Sequence, residues 1–240
     1  YAYQYMYTNN LPGYLLAAGK AARKAINLDP LLAEAYVAYG QALSLENRFE
    51  EAEAAFEKAL ELDHKLFEAR YLFGRLFFIQ GKLEEAAYWF EEANRARPED
   101  YQSLLLAGQT YADLGREDKA RAARQRGTEV AESSLLLDPN NTRALYLGAN
   151  GLVALGQQEK GLEWIRRALA LAPGDPMVLY NAACIYALVG KQGEALNCLE
   201  AAFEEGITQR GWYENDSNLD SLREHPRFQA LLEKLRAGTS

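Results

Sequence analysis

The chain has 240 residues, of which 49% are apolar and 25% are charged, and these proportions are typical of a folded globular protein. Its formal net charge of −8 argues against nucleic-acid binding, because duplex binding depends on phosphate neutralisation by Lys and Arg. No apolar run approaches the roughly 20 residues that span a bilayer, and no signal sequence is recognised, so we expect no membrane contact and a cytoplasmic location.

Four prolines divide the chain at regular intervals. Pro30, Pro98, Pro139 and Pro173 are separated by 68, 41 and 34 residues in turn. These intervals correspond to two periods of about 34 residues, one period with seven extra residues, and one further period. A fixed period of this length predicts a stack of helical hairpins, since one hairpin cannot bury its apolar face alone.

The first unit in chain order, residues 1–32, is predicted to be a partial hairpin that is closed by Pro30. We assign the segment from Tyr1 to Tyr7 to the end of a first helix, although its alternating tyrosines also fit a strand at period 2. Gly13 takes the position of a turn glycine. Because the chain starts with Tyr in the middle of a unit, we expect it to be part of a longer protein.

Five full units follow, each with two amphipathic stretches separated by a turn: 33–66, 67–100, 101–141, 142–175 and 176–209. With the closing Pro at position 32, small residues recur at positions 8, 20 and 27, and large apolar residues recur at positions 11 and 24. In unit 67–100 these are Gly74, Ala86, Ala93, Phe77 and Phe90. We expect the small residues to let two helices approach and the large ones to fill the space between them. The pattern predicts helical hairpins throughout 33–209, with no strand longer than three residues.

The unit 101–141 is seven residues longer than the others, and we predict that its second helix runs over about 117–137. Seven residues are nearly two turns, so the apolar face shifts by only about 20° and the stack continues. The extension, with Gly127 at its middle, is either a tolerated insertion or a functional ledge or hinge between residues 33–100 and 142–209. Its basic stripe is either a solvated face or a receptor for an acidic partner. The stripe comprises Arg116, Lys119, Arg121, Arg124 and Arg126.

After Gly206 the repeat pattern stops, and residues 210–240 are predicted to form a C-terminal cap on the last hairpin. Leu219 and Leu222 indicate a short helix. Pro226 starts a second helix with its apolar side chains on one face, namely Phe228, Leu231, Leu232 and Leu235. Trp212 is the expected anchor of this cap.

The in-phase recurrence of small, large and turn residues resembles the tetratricopeptide repeat over most of the chain. The resemblance implies an all-α, right-handed α–α superhelix, which is a tetratricopeptide solenoid, with C-terminal capping helices. More loosely, the tail resembles the one that closes tetratricopeptide regions in bacterial multidomain signalling proteins. In those proteins a Ser/Thr kinase, a nucleotide cyclase or a TolB-like domain lies upstream.

In tetratricopeptide proteins the first helix of each hairpin lines a concave groove with its positions 2, 5, 6, 9, 12 and 13. The resemblance therefore implies a partner-binding surface of mostly aromatic, cationic and amide side chains: Tyr71, Arg75, Phe78, Gln109, Tyr146, Asn150, Tyr180 and Asn181. Such side chains are typical of binding hot spots. The two-lysine carboxylate clamp of chaperone-binding members is absent, because the matching positions hold Val37, Gln41, Tyr71 and Arg75.

Nothing in the sequence predicts catalysis, a metal or a cofactor. It has neither a phosphate-binding glycine loop nor a Cys/His cluster with zinc spacing. Cys184 and Cys198 are expected to be buried free thiols on opposite helices of one hairpin. We predict a non-catalytic scaffold that binds a protein or peptide segment in the groove. The alternatives are a self-association module of a larger bacterial signalling protein, which would form a homo-oligomer, and a small-molecule sensor with a pocket near Tyr146, Asn150 and Tyr180.

Overall fold

The structure, a computed structural model, describes the backbone of residues 12–237 and side chains from residue 16 onward. Within this range the chain forms thirteen α-helices and one 3₁₀ helix, and no strand. In chain order the α-helices are α1 (Pro12–Leu28), α2 (Ala33–Leu45), α3 (Phe49–Leu62), α4 (Phe67–Ile79), α5 (Leu83–Ala96), α6 (Tyr101–Asp113), α7 (Glu117–Leu137), α8 (Thr142–Ala154), α9 (Gln158–Leu171), α10 (Pro176–Leu188), α11 (Gln192–Glu204), α12 (Arg210–Asn215) and α13 (Pro226–Ala237). The 3₁₀ helix, Ser217–Leu222, lies between α12 and α13. The predictions of an all-α fold and of helical hairpins throughout 33–209 without a strand are confirmed.

Two compact units divide the chain, Tyr1–Glu99 and Asp100–Ser240. In the first unit α2 pairs with α3, and α4 pairs with α5. In the second unit the pairs are α6 with α7, α8 with α9, and α10 with α11. We call α2, α4, α6, α8 and α10 the first helices, since each one opens a hairpin, and their partners the second helices.

Glycine at position 8 of a first helix makes room for a ring from the second helix. A Cβ added to Gly74 would lie 2.7 Å from Cδ1 of Phe90, and one added to Gly40 would lie 2.9 Å from Cε1 of Phe56. Both rings are completely buried. Heavy atoms of well-packed side chains do not approach so closely, so the two helices touch at a point where only glycine fits. The predicted pairing of small and large residues is confirmed at these positions.

The turn inside each hairpin needs one residue in the left-handed region. Gly81 supplies it between α4 and α5 with φ of 72°. Between α2 and α3 the same position holds Asn47, with φ of 58°, the one positive-φ residue other than glycine among residues 12–237. Asn tolerates this region better than most residues because its side chain bonds locally to the backbone. The hairpin turn therefore keeps its geometry where the sequence lacks glycine.

Three first helices of the second unit begin with a side-chain cap. The carboxylate of Asp100 accepts from the Ser103 N–H at 2.7 Å, and the amide oxygen of Asn141 accepts from the Ala144 N–H at 3.0 Å. Asp175 accepts from Met177 N–H at 2.8 Å and from the next N–H along the chain at 3.0 Å. Each cap satisfies backbone donors that have no partner within the helix, and is worth about 1 kcal/mol.

The start of the chain differs in one respect from the sequence prediction. Helix α1 begins at Pro12, so Gly13 lies in its first turn and not in a turn before it. Proline at the first helical position is favourable because its missing N–H would be unpaired there. The prediction of a helix end over Tyr1–Tyr7 falls outside the described residues.

Helix α7 is continuous over 21 residues, from Glu117 to Leu137, which confirms the predicted long second helix. Gly127 lies in its interior, where a Cβ would meet Leu105 Cγ of α6 at 2.7 Å. A glycine weakens a helix by about 1 kcal/mol relative to Ala. Here it serves the close packing of α6 against α7, and the helix does not break.

The C-terminal cap forms as predicted, with one correction. Leu219 and Leu222 of the 3₁₀ helix are fully buried, as is Phe228 of α13. The fully buried aromatic ring of the segment before them is Tyr213, whereas Trp212, the expected anchor, is only partly buried against the same cluster. Tyr213 can be fully buried because its hydroxyl donates to the Ile207 carbonyl at 2.6 Å, which satisfies its polar atom inside the core.

Candidate partner-binding site

The residues predicted to bind a partner lie on first helices of both units. Helix α4 carries three of them, α6 one, and α8 and α10 two each: Tyr71, Arg75, Phe78; Gln109; Tyr146, Asn150; Tyr180, Asn181. Six of the eight are buried, and only Asn150 and Asn181 are half-buried. The burial differs from the open surface that the sequence predicts. Their role in binding a partner stays a prediction.

In the first unit, Tyr71 belongs to a packed aromatic cluster. Its ring stacks on Phe67 with a centroid distance of 5.8 Å and an interplanar angle of 13°, and Phe90 lies 6.3 Å away. The guanidinium carbon of Arg75 is 6.0 Å from the Tyr71 centroid, at the outer limit of a cation–π contact. Tyr71 thus contributes to the core of its hairpin as well as to the first-helix face.

In the second unit, the polar side chains of two first helices converge on one buried carboxylate, that of Asp216. Gln109 donates to Oδ1 through Nε2 at 2.7 Å, and Tyr180 donates to Oδ2 through its hydroxyl at 2.8 Å. The Cys184 thiol donates to Oδ2 at 3.5 Å, and the Asn218 backbone N–H donates to Oδ1 at 3.0 Å. Asp216 is 3% exposed, so these four donors replace the water that its carboxylate has lost.

A segment of the chain itself covers this part of the first-helix face. We name residues 210–222 the strap; they comprise α12 and the 3₁₀ helix. The Ser217 hydroxyl of the strap donates to Oδ1 of Asp113 on α6, and the Ser221 hydroxyl donates to the Ala187 carbonyl on α10 at 3.2 Å. All the contacted side chains and carbonyls on α6 and α10 fall at repeat positions 5, 9, 12 and 13: Gln109, Asp113, Tyr180, Cys184 and Ala187.

Burial controls the ionisation of this polar site. It raises the pKa of the Asp216 carboxyl, while the hydrogen bonds from Tyr180 and the other donors oppose that rise. Burial also raises the pKa of the Tyr180 hydroxyl and of the Cys184 thiol well above their usual values. Both groups therefore keep their protons at neutral pH and act as donors.

Asp113 is the second buried carboxyl beside the strap. Burial raises its pKa to about 6, the hydrogen bond from Ser217 opposes this rise, and the negative charge of Asp216 adds to it. Its Oδ2 is buried without a hydrogen-bond partner. The strap is thus held to α6 at a place where ionisation of a carboxyl is costly.

The basic stripe of α7 is not one exposed face. Arg124 is half-buried at position 24, where other hairpins carry Phe56, Phe90, Ile165 and Leu199. A Cβ added to Gly108 would lie 2.7 Å from its Cγ, so the aliphatic stem fills the space that a large apolar side chain fills elsewhere. Burial lowers the pKa of the guanidinium. The exposed members of the stripe are Arg116, Lys119, Arg121 and Arg126.

Both cysteines are free, Cys184 buried and Cys198 half-buried. Among the described residues, no group of three His, Cys, Asp or Glu side chains converges to hold a metal ion. Within the same part of the chain, no helix is both long enough and apolar enough to cross a bilayer.

The sequence contains no direct signal for Asp216 and Asp113. Asp216 accepts from the N–H of Asn218 and caps the 3₁₀ helix. The sequence of residues 216–218 predicts only this local cap, because Asp is favoured at the position before a helix. That pattern carries no information about Gln109, which lies 107 residues earlier. The sequence predicts Cys184 only as a buried thiol, not as a donor.

Comparisons with known proteins agree with this architecture. Residues 45–126, less than half of the chain, match the family model described as anaphase-promoting complex, cyclosome, subunit 3. Cellulose synthase operon protein C of Pseudomonas fluorescens (strain SBW25) is 35% identical over 108 residues, which is 44% of this chain. The match spans only 8% of the length of that relative.

Two solved structures have the same fold. TTC0263, a thermophilic TPR protein of Thermus thermophilus, superposes with a TM-score of 0.57 at 18% identity, covering 85% of this chain and 99% of that one. The APC/C hetero-tetramer Cut9-Hcn1 gives a TM-score of 0.58 at 16% identity, over 95% of this chain and 43% of that one. The chain therefore has a fold of the tetratricopeptide type, made of consecutive helical hairpins.

Proposed function

We propose that this chain is a non-catalytic interaction scaffold whose first helices bind a segment of a partner protein. One observation carries the proposal: in the second unit the first-helix face already holds a polypeptide segment, the strap. The face receives that segment through side-chain donors at repeat positions 5 and 9, which lie on different hairpins. A surface that satisfies the polar groups of one polypeptide segment has the chemistry needed to bind another.

The part of the face that the strap does not bury contains amide side chains. Asn150 and Asn181 are half-buried on α8 and α10. The Asn181 Nδ2 donates to the Met177 carbonyl at 2.8 Å, which leaves its side-chain oxygen as an acceptor for a ligand backbone. In the first unit, we propose that the partner segment contacts Tyr71, Arg75 and Phe78.

The test begins with a displayed library of random peptides selected on the full chain. We expect selected peptides to bind Asn150→Ala or Asn181→Ala about tenfold more weakly, a loss of about 1.4 kcal/mol, when measured by calorimetry. The matched control is Gln158→Ala, which removes an exposed amide from a second helix and should leave the affinity unchanged. Ligands that respond to Gln158→Ala and not to the two Asn variants would contradict the proposal.

Tyr71 and Tyr146 are poorer probes than these amides. They are 7% and 3% exposed, so truncation to Ala would remove core packing as well as binding contacts. A loss of affinity in such a variant would not separate binding from folding.

We further propose that the chain acts in the cytoplasm as part of a larger bacterial signalling protein. The two free thiols and the resemblance of its tail support this setting. Light scattering on the purified chain at micromolar concentration is expected to show a monomer. A dimer under these conditions would favour self-association instead.

A further inference from the structure

The hydrogen bonds between the strap and the first helices all fall at positions that tetratricopeptide geometry would give to a ligand, and one acidic side chain, Asp216, accepts three of them. We propose that the strap is an intramolecular ligand, and that a partner segment carrying an aspartate in a similar turn binds at Gln109, Tyr180 and Cys184 in its place. This inference rests on the proposed function and names the chemistry of the ligand for the second unit.

The donors around Asp216 select a carboxylate. Among the described residues, the four hydrogen-bond donors to its carboxylate are neutral, namely an amide, a phenol, a thiol and a backbone N–H. The guanidinium of Arg223 donates to the backbone carbonyl of Asp216, at 3.3 Å, and not to its carboxylate. The charged groups that act on the neighbouring carboxyl of Asp113 are the carboxylates of Asp216 and Asp220 and the guanidinium of Arg124. A group with two negative charges, such as a phosphate, would be repelled by the carboxylates of Asp113 and Asp220 and would meet only neutral donors at the position of the Asp216 carboxylate. A single carboxylate fits.

The turn that presents the carboxylate is also part of the recognised feature. Asp216 accepts from the N–H two residues further on, so one oxygen serves both its own turn and Gln109. Ser217 then places its hydroxyl on Asp113. The ligand we infer is therefore an Asp-Ser-Asn-like turn, with a hydroxyl one residue after the aspartate.

The strap is tethered, and this decides how the site responds to an external segment. Tyr213, Leu219 and Leu222 are fully buried and anchor the strap on both sides of Asp216. A tethered group has an effective concentration on the order of millimolar or more, so a free peptide competes poorly while the carboxylate contact is intact. Loss of the Asp216 carboxylate removes the acceptor of the donors on α6 and α10, so we expect the strap to open more readily and an external carboxylate to compete for these donors.

The experiment uses the full chain and a fluorescent synthetic peptide with the sequence of residues 212–222. By fluorescence anisotropy, we expect D216A to bind this peptide at least tenfold more tightly than the parent chain does. Adding Tyr180→Phe to D216A should reverse the gain by about tenfold. A control peptide with Asn in place of its aspartate should bind D216A at least tenfold more weakly than the original peptide.

Equal binding by the parent chain and D216A, or a gain that Tyr180→Phe does not reverse, would overturn the inference. So would dimers of D216A in light scattering that bind no peptide, since the occupant would then be the strap of a second copy. None of these outcomes depends on the Asn150 and Asn181 variants that test the proposed function. The inference and the proposed function can therefore fail separately.

A second measurement keeps the inference open to test if D216A does not fold. In the parent chain, the Leu219 N–H donates to the Asp216 carbonyl, and the Asn218 N–H donates to its carboxylate. If the strap opens as a ligand does, these amides should exchange with deuterium at least tenfold faster than those of Ala183 and Cys184 on α10. Equal exchange rates would show that the strap opens only when α10 unfolds, and the inference would fail.

Discussion

The hydroxyl of Tyr180 donates a 2.8 Å hydrogen bond to the carboxylate of Asp216, 36 residues further along the chain. The same hydroxyl lies 2.9 Å from the Trp212 carbonyl. One phenol oxygen on a first helix thus contacts the strap at two points. Since both acceptors belong to a segment outside the repeats, Tyr180 joins the last hairpin to the cap.

Tyr180→Phe removes this donor and keeps the ring. We expect the free energy of unfolding to fall by about 1–3 kcal/mol, because a buried carboxylate loses one of its donors. Urea unfolding followed by circular dichroism measures the change. The matched control is Tyr186→Phe on the same helix, where the half-buried side chain should give a change below about 0.5 kcal/mol. Equal losses for the two variants would show that the Asp216 contact contributes nothing.

Asp113→Asn should stabilise the chain at neutral pH and reduce its pH dependence. Burial raises the pKa of Asp113 from 3.8 to about 6 in the folded chain, with Asp216, Asp220, Arg124 and the Ser217 hydroxyl as its surroundings. The folded state therefore holds this proton more tightly than the unfolded state does. Its contribution to stability is greatest below about pH 4 and decreases as the pH rises to about 6.

At pH 7 the ionised Asp113 is a cost, which we put at up to about 2 kcal/mol after allowing for partial solvent screening. Unfolding curves of the parent chain and of Asp113→Asn between pH 4 and pH 7 test this difference. Asp118→Asn, at an exposed site on α7, is the control and should follow the parent at every pH. A variant that is less stable than the parent at pH 7 would contradict the assignment.

Gly127→Ala should destabilise the chain by about 1 kcal/mol, although Ala is the better helix former. The gain in helix propensity is about 1 kcal/mol, and overpacking against Leu105 costs about 1–3 kcal/mol. Gly193→Ala is the matched control, because this glycine is also helical but has nothing within 4 Å of an added Cβ. That variant should gain up to about 1 kcal/mol, measured by thermal or urea unfolding. Changes of the same sign in both variants would mean that the contact with Leu105 adapts freely.

Ala86→Leu should lower the free energy of unfolding by about 1–3 kcal/mol, because Ala86 is completely buried where α5 packs against its neighbours. Ala54→Leu, at an exposed site on α3 of the same unit, is the control and should be nearly neutral. A thermal melt of Ala86→Leu that coincides with that of the parent chain would show that Ala86 does not lie at a close contact between helices.

The elements of this fold follow from local patterns that recur, and most of them can therefore be predicted from the sequence. The pairing of Gly74 with Phe90 repeats as Gly40 with Phe56, and a repeated pair is a stronger signal than any single residue. Helix α7 could be predicted because seven added residues preserve the phase of its buried face. Position 24 of that hairpin shows the limit, since Arg124 fills with its stem a space that the pattern assigns to an apolar residue.

The candidate site is less predictable because its partners are far apart in sequence. Spacing within a repeat puts Gln109 and Tyr180 on the same side of their hairpins, and this part follows from helical geometry. Which group meets them depends on the path of the strap after the last repeat. No sequence periodicity specifies that path, so the contact of Asp216 with Gln109 and Tyr180 could not be predicted from the repeat spacing.

The length of α7 has a consequence for changes in the number of its residues. Ala120 and Gly127, seven residues apart, are both buried. Removing seven residues from the interior of this helix would turn its downstream half by only about 20°, whereas removing five would turn it by about 140°. The smaller deletion would therefore be the more damaging one. The loss of stability caused by an in-frame deletion in this helix therefore depends on how far the deletion rotates the downstream half about the helix axis, and not on the number of residues lost.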